Sequence, residues 1–305
     1  MRRPSVLIVG AGGFIGRSLA ESCAAQGQLV LALTRQPTRF RATNIENIVS
    51  SYDSAAHFLP LLSRTTTVVH AASNSTPASS EARPQIEDNL KTLLLLLESL
   101  QDRPDRRLVY LSSGGTLYGD RAAPARESDA LSPRSYHAAG KVAAEAFIHA
   151  WAQQYGGTAV VLRPSNVFGP GQTVRPGFGV IPTAFDCASR HRPFTVWGDG
   201  QTTRDYLFID DLISLVEAAL GVPLESGCQI FNAASGQVVT LNQLLDRIDT
   251  VTRQPLTRIY RPARRVDIRR IALDTRAAAN TFGWQSQTSI EDGLKRTWGW
   301  FRSLS

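Results

Sequence analysis

The chain has 305 residues, about two domains' worth at roughly 150 residues each. Hydrophobic residues make up 43% and charged residues 19%, which supports a sizeable buried core and excludes wholesale disorder. The net charge is +7, and only three of the 33 basic residues, Lys91, Lys141 and Lys295, are lysines. The arginines are scattered, with a local excess only at Arg258–Arg270, which favours small anionic ligands over nucleic acid. The longest apolar runs, Leu29–Leu33 and Leu93–Leu97, fall far short of the roughly 20 residues that span a bilayer, so no membrane partner is expected. Cys23, Cys187 and Cys228 are odd in number and widely spaced, which predicts neither a disulfide framework nor a metal site. A reducing cytoplasm is the default location.

In chain order, Ser5–Val9, Leu29–Leu33, Ile45–Val49, Thr66–His70, Arg107–Ser112 and Thr158–Leu162 read as strands. Most are continuous apolar runs, as expected for parallel strands covered on both faces. Between them, Phe14–Gln26, Ser54–Ser63, Gln85–Leu100 and about Tyr136–Tyr155 are long enough for crossover helices. Repeated βαβ units predict an α/β fold with a doubly wound parallel sheet. Beyond Arg163 the chain becomes rich in Pro and Gly, with a short helix at Ile181–Ser189 and another at Asp210–Leu220. Thr240-Leu-Asn-Gln243 and Thr288-Ser-Ile-Glu291 each read as a capping box opening a further helix. The division expected is a dinucleotide-binding unit over 1–165 and a smaller, interleaved α/β substrate unit over 166–305, with about 205–235 returning to the first.

The sequence Gly10-Ala-Gly-Gly13-Phe14-Ile15-Gly16 follows the first strand and opens the first helix. Glycine permits a tight turn and close approach of a pyrophosphate, and the helix start offers free N–H groups and a positive dipole end. At the end of the second strand stands Thr34-Arg35. No carboxylate is there to hold the ribose hydroxyls of NAD or to repel a 2′-phosphate, and Arg35 could pair with one, which leans the cofactor toward NADP.

Seven further stretches, in order, give the chain its resemblance to the extended short-chain dehydrogenase/reductase family, in particular its nucleotide-sugar epimerases and dehydratases. They are His70-Ala71-Ala72; Asn89; Ser112-Ser113-Gly-Gly-Thr116-Leu-Tyr118-Gly119; Arg163-Pro164-Ser-Asn166-Val-Phe-Gly169-Pro170; Gly198-Asp-Gly200 with Arg204-Asp205-Tyr206 and Asp210-Asp211; Arg264-Arg-Val-Asp267; and Gly283-Trp284 with Ile290–Leu294. The resemblance implies that His70, Ala71, Ala72 and Asn89 lie beside the cofactor and that a nucleotide-diphosphate sugar sits between two units. It also implies a homodimer paired partly through the helix bearing Lys141. In such enzymes a tyrosine takes a sugar hydroxyl proton while hydride moves to the nicotinamide. A lysine one helical turn on favours the phenolate and grips the ribose, and a serine or threonine orients the substrate.

The chain departs from that pattern at Ser135-Tyr136-His137-Ala-Ala-Gly-Lys141. Tyr136 lies five residues before Lys141, and His137 holds the position four before it. On a helix four residues leave an offset of roughly 40°, whereas five leave roughly 140°. Three readings stay open: Tyr136 is the base through a bulge or a non-helical start; His137 replaces it, which an imidazole pKa near 6.5 permits; or the site is impaired. The usual serine/threonine position falls on Gly114, so Thr116, or less readily Ser113, would supply the hydroxyl. Arg204 and Arg264 are candidates for the substrate diphosphate, with Arg175 weaker, and Asn166 for the diphosphate or sugar. Asp205 and Asp267 would orient the neighbouring arginines. Tyr118 either leans over the sugar or packs in the wall; Trp197 lies near the nucleotide base or, more readily, packs; and Trp284, Trp298 and Trp300 read as core. The resemblance implies a 4-epimerase working through a 4-keto intermediate. A 4-keto nucleotide-sugar reductase consuming NADPH and a catalytically impaired dinucleotide-binding protein are the alternatives.

Overall fold

The computed structural model describes residues 5–76, 79–175, 179–264 and 268–304. Strands β1 (Ser5–Val9), β2 (Leu29–Thr34), β3 (Ile45–Val49), β4 (Thr67–His70), β5 (Arg107–Leu111) and β6 (Thr158–Pro164) form one sheet. A later strand, Gly227–Ala233, joins its far edge. Counting β7 (Asn166–Phe168), β8 (Phe194–Trp197) and β9 (Thr203–Phe208) before it, that strand is β10, and the sheet order is β10-β6-β5-β4-β1-β2-β3. Every pairing in this sheet is parallel. The central strands are buried along their length, which is why they read as unbroken apolar runs.

Helices cover both faces. They are α1 (Phe14–Ala25), α2 (Leu59–Leu62), α3 (Lys91–Leu100), α4 (Gly114–Leu117), α5 (Tyr136–Tyr155), α6 (Val180–Ser189), α7 (Ile209–Gly221), α8 (Leu241–Thr252), α9 (Arg276–Phe282) and α10 (Ile290–Arg302). One core cluster, including Val6, Ile8, Leu19, Leu212 and Val216, fills the face under α1 and α7. Another, including Leu7, Leu31, Leu96, Ile148 and Trp151, fills the face under α3 and α5. Beyond β6, β7 pairs parallel with β9, and β9 pairs antiparallel with β11 (Val238–Thr240). A second small sheet joins β8 to β12 (Arg258–Arg261).

Local signals explain most boundaries. Ser135 caps α5 by accepting from the Ala138 N–H, and Gly156 ends it at φ 69°. Thr240 and Gln243 form the reciprocal capping box expected of them. The last helix corrects its prediction: its cap is Ser289, which accepts from the Asp292 N–H, because Thr288 is bound instead to the Asp211 carboxylate. The helix expected over Ser54–Ser63 is broken into a 3-10 turn at Ala55–His57 and the four residues of α2, with Pro60 at the start of α2. The stretch expected as one helix over Gln85–Leu100 opens as a π-helical turn, Gln85–Leu90, before α3.

Candidate active site

In a parallel sheet, ligands sit outside the carboxyl ends of the strands where the strand order reverses. Here that point lies beside β1, which has β2 on one side and β4 on the other. The Gly10 and Ala11 N–H groups both donate to Leu33 O at the end of β2, at 3.0 and 3.2 Å. Gly10 has φ +88°, and a Cβ there would lie 2.6 Å from the Ala72 backbone. At Gly16 a Cβ would lie 2.3 Å from Gly10 O, so helix and turn pack backbone on backbone. By contrast, a Cβ at Gly13 would meet only Gly10 O, at 3.4 Å. Gly13 caps α1 with no side-chain bond, and the first turn carries no acid. This cradle fits a dinucleotide pyrophosphate: its backbone can approach closely, and its helix dipole is uncompensated.

Around the cradle, Phe14 and Ile15 are half-buried, and Phe14 faces the Gly171 turn. Ala71 is fixed by its N–H to Val9 O at 2.9 Å. Thr34 is buried between Gln36 O and the Asn47 amide, at 2.8 and 2.7 Å. Arg35 is exposed and donates to Asn74 Oδ1 at 2.5 Å. No carboxylate ends β2, and Tyr52, whose hydroxyl donates to Leu33 O at 2.9 Å, closes that side. Burial pushes the Tyr52 phenol up to about 12, although the Arg35 charge pulls the other way.

The register of the sheet sets His70 opposite Tyr110, their ring centroids 5.4 Å apart. Both His70 ring nitrogens are buried without a hydrogen-bond partner. Burial, then the Lys141 charge, pulls the His70 pKa down to about 3. Lys141, one turn into α5, donates to Leu111 O at 2.7 Å and to the Tyr110 hydroxyl at 3.2 Å. Burial lowers its pKa to about 8 in spite of the Glu145 charge, which acts to raise it. Two of its three N–H groups are used in those bonds, and Tyr110 is a participant that the sequence motifs did not mark.

The start of α5 answers the spacing question in geometry. The helix is regular from Tyr136 onward, with neither a bulge nor a non-helical start, so Tyr136 and Lys141 do not share a face. Tyr136 is 51% exposed, whereas His137 is buried. His137 Nδ1 lies 2.9 Å from Ser75 Oγ, and burial followed by the Lys141 charge lowers its pKa to about 4. Asn89, expected beside the cofactor, accepts from the Asn74 N–H at 2.7 Å and donates to Ser75 Oγ at 3.0 Å. Ser75 and Gln85 belong to no recognised motif, and only folding brings them to His137.

The hydroxyl side has a clear cause. A Cβ at Gly114 would lie 2.6 Å from Arg163 O and 2.5 Å from Leu273 Cδ1, so no serine or threonine fits there. Thr116 Oγ1 donates to Ser113 Oγ at 2.9 Å, which makes those two the hydroxyls left on α4 and at its cap. Of the two readings of Tyr118, the packing one fits its contacts: it is buried, donates to Asn232 Oδ1 and accepts from Arg163, both at 2.7 Å. Asn166 borders Gly115, and its amide donates to Asp205 O at 2.9 Å.

Arg204 and Arg264, the arginines expected at a diphosphate, have different surroundings. Arg204 donates to Thr203 O at 2.8 Å, while Arg264 lies over the Trp197 ring at 5.8 Å. Trp197 is 44% exposed. Trp284 and Trp298 are buried and Trp300 half-buried. The Asp205 oxygens accept from Ser165 and Ser235, at 2.6 to 3.0 Å, which corrects its expected role toward an arginine. Asp267 lies outside the described residues. A cleft of about 1080 Å³ opens between the loop around Asp120–Arg126 and the Arg270–Arg276 segment, with Asp205 in its wall. Among the described residues no group of side chains could hold a metal, and no helix is long and apolar enough to cross a membrane.

Comparison with known proteins agrees with this geometry. The chain is 30% identical to UDP-glucose 4-epimerase of Mycolicibacterium smegmatis over 98% of its length and 99% of the relative's. It is 27% identical to dTDP-4-dehydro-6-deoxyglucose reductase of Escherichia coli, covering 97% of this chain and 96% of that one. Among solved structures, UDP-glucose 4-epimerase of Thermotoga maritima with UDP-glucose superposes with a TM-score of 0.88 at 27% identity, covering 98% of this chain and 99% of that one. Residues 6–234 match a single family, from the first strand through the glycine cradle and Lys141 to the strand that closes the sheet, and the chain therefore belongs to the NAD dependent epimerase/dehydratase family.

Proposed function

We propose that this protein is an NAD(P)-dependent nucleotide-sugar 4-epimerase whose proton carrier is His137. The observation that carries the reading is the convergence of the uncapped glycine cradle with the buried His70, Lys141 and His137 groups at the switch point of the sheet. Gly10, Gly13 and Gly16 with the first turn of α1 would hold the pyrophosphate, and Lys141 would hold the nicotinamide ribose. When bound, the dinucleotide accepts a hydride and returns it. His137 takes the proton from the sugar C4 hydroxyl and later gives it back. The depressed pKa keeps the imidazole neutral at neutral pH, so its lone pair is unprotonated although its basicity is reduced. Lys141 supplies positive charge beside the reacting oxygen, and Thr116 with Ser113 orients the hydroxyl. Arg204 and Arg264, with Asn166, bind the diphosphate. Retention of the ketone until it has turned over makes the reaction an epimerisation.

The absence of a carboxylate after β2, with exposed Arg35 beside it, supports NADP over NAD, and with it a second reading as a 4-keto nucleotide-sugar reductase. The half-exposed Phe147 on α5 supports a homodimer through that helix. Division into units 1–165 and 166–305, and a cytoplasmic location, complete the proposal. The test is incubation of purified protein with UDP-, GDP- and dTDP-sugars, with and without added NADPH, followed by chromatography. Interconversion of C4 epimers without added cofactor supports the epimerase. Stoichiometric NADPH consumption with a 4-keto sugar identifies the reductase. No turnover of any sugar would leave an impaired dinucleotide-binding protein.

A further inference from the structure

A serine hydroxyl has one proton, an amide has distinguishable ends, and a neutral imidazole has a proton on one nitrogen only. The pocket beside the start of α5 links one serine, two amides and one imidazole, and a backbone N–H at its far end determines all of them in turn. The Asn74 N–H lies 2.7 Å from one terminal atom of Asn89, which must therefore be the oxygen. The other terminal atom is then the NH2 group, and it donates to Ser75 Oγ at 3.0 Å and to Gln85 at 3.2 Å. The Gln85 atom that receives it must be Oε1. Ser75 Oγ lies 2.8 Å from that same oxygen, so the Ser75 proton points at Gln85. With its proton committed, Ser75 Oγ can only accept from His137 Nδ1, 2.9 Å away. Flipping the Gln85 amide would give its buried and otherwise unpartnered Nε2 an acceptor, but would set two NH2 groups face to face.

We propose that Ser75, Gln85 and Asn89 are positioning residues that hold neutral His137 as the tautomer protonated on Nδ1, leaving the lone pair on Nε2. The inference deepens the reading of His137 as proton carrier and rests on it for its use in catalysis. In the forward step Nε2 takes the proton of the C4 hydroxyl while the C4 hydrogen leaves as hydride for the oxidised dinucleotide. The alcohol carbon is oxidised to a ketone, the dinucleotide is reduced, and the imidazole becomes an imidazolium. Return of hydride and proton restores all three. The opposite tautomer would present an N–H to the hydroxyl and could not begin the oxidation.

The test is long-range proton–nitrogen NMR of the full chain labelled with 15N-histidine at neutral pH, with the His137 signals assigned by their loss in His137→Gln. The expected result is a pyrrole-like Nδ1 and a pyridine-like Nε2. Gln85→Glu keeps an acceptor in place and leaves that pattern unchanged, whereas it would reverse it if the native amide donated to Ser75. Ser75→Ala removes the lock, and the expected outcome is loss of the Nδ1–H preference with at least a tenfold fall in kcat and little change in KM. A pyridine-like Nδ1 in the unmodified protein would overturn the proposal without any variant. The spectra do not depend on turnover. A correct tautomer with no sugar turned over would reject only the epimerase reading, and turnover with the wrong tautomer would reject only the lock.

Discussion

Two successive turns of one face of α5 hold opposite kinds of buried charge. Glu145 accepts from Arg163 at 2.6 to 3.2 Å and from Ser112, and Arg163 also donates to Tyr118, which donates in turn to Asn232. Asn232 continues to Ala125 O and Asp274 O, so this cluster ties β5, β6, β10 and the loop before α5 together. One and two turns earlier, Lys141 and His137 have few partners, and His70 nearby has none on either nitrogen. Burial is similar in both places, yet desolvation wins at His137 and Lys141 and lowers both pKa values, whereas at Arg163 the contacts with Glu145 and Tyr118 outweigh it and raise the pKa. The contrast separates a polar cluster that holds the fold from one left open for a ligand.

Three changes would break or sharpen that contrast. The largest effect is expected in the saturated cluster. Arg163→Met strands the Glu145 carboxylate and should cost about 3–5 kcal/mol in a denaturant titration, whereas a loss under about 1 kcal/mol would mean that the pair is not structurally important. The next lies in the open cluster and depends on pH. Folded Lys141 loses its proton near 8, below its unfolded value of 10.5, so the unfolded chain binds more protons between those values. Its contribution to stability therefore rises with pH across that window. Lys141→Met should reduce the slope of stability against pH there by up to about one proton, and an unchanged slope would refute the lowered value. The smallest effect is expected at the exposed helix start. Tyr136→Phe should change stability by less than about 0.5 kcal/mol and turnover by less than about twofold. A turnover loss of about a hundredfold would return the role of base to Tyr136.

The sheet was legible because parallel strands buried on both faces leave unbroken apolar runs, as in Val6–Val9 and Val160–Leu162. The glycine cradle was legible because backbone contact admits no other residue at Gly16. Tyr118 was legible only as a pair of alternatives, because its motif marks a position and says nothing of the direction in which the ring points; its hydroxyl is held by Arg163 and Asn232, far along the chain. Ser75 and Gln85 had no signal at all, since the value of Ser75 lies in its contact with His137, 62 residues away, and that of Gln85 in its contact with Ser75. The displaced tyrosine was visible as a count of residues, but whether the helix would absorb the extra residue depended on the Ser135 cap, which starts regular geometry at Tyr136.

The last strand of the large sheet has a consequence for biosynthesis. β6 presents Thr158–Pro164 as an unpaired edge until Gly227–Ala233 has been made and laid beside it. During translation that edge, with Val160, Val161 and Leu162 along it, leaves the ribosome well before its partner, together with its unsatisfied N–H and C=O groups. A chain cut short between the two strands keeps the cradle sequence but retains a sticky border. Such fragments are therefore candidates for aggregation and chaperone capture, while in the completed chain β10 covers the β6 edge.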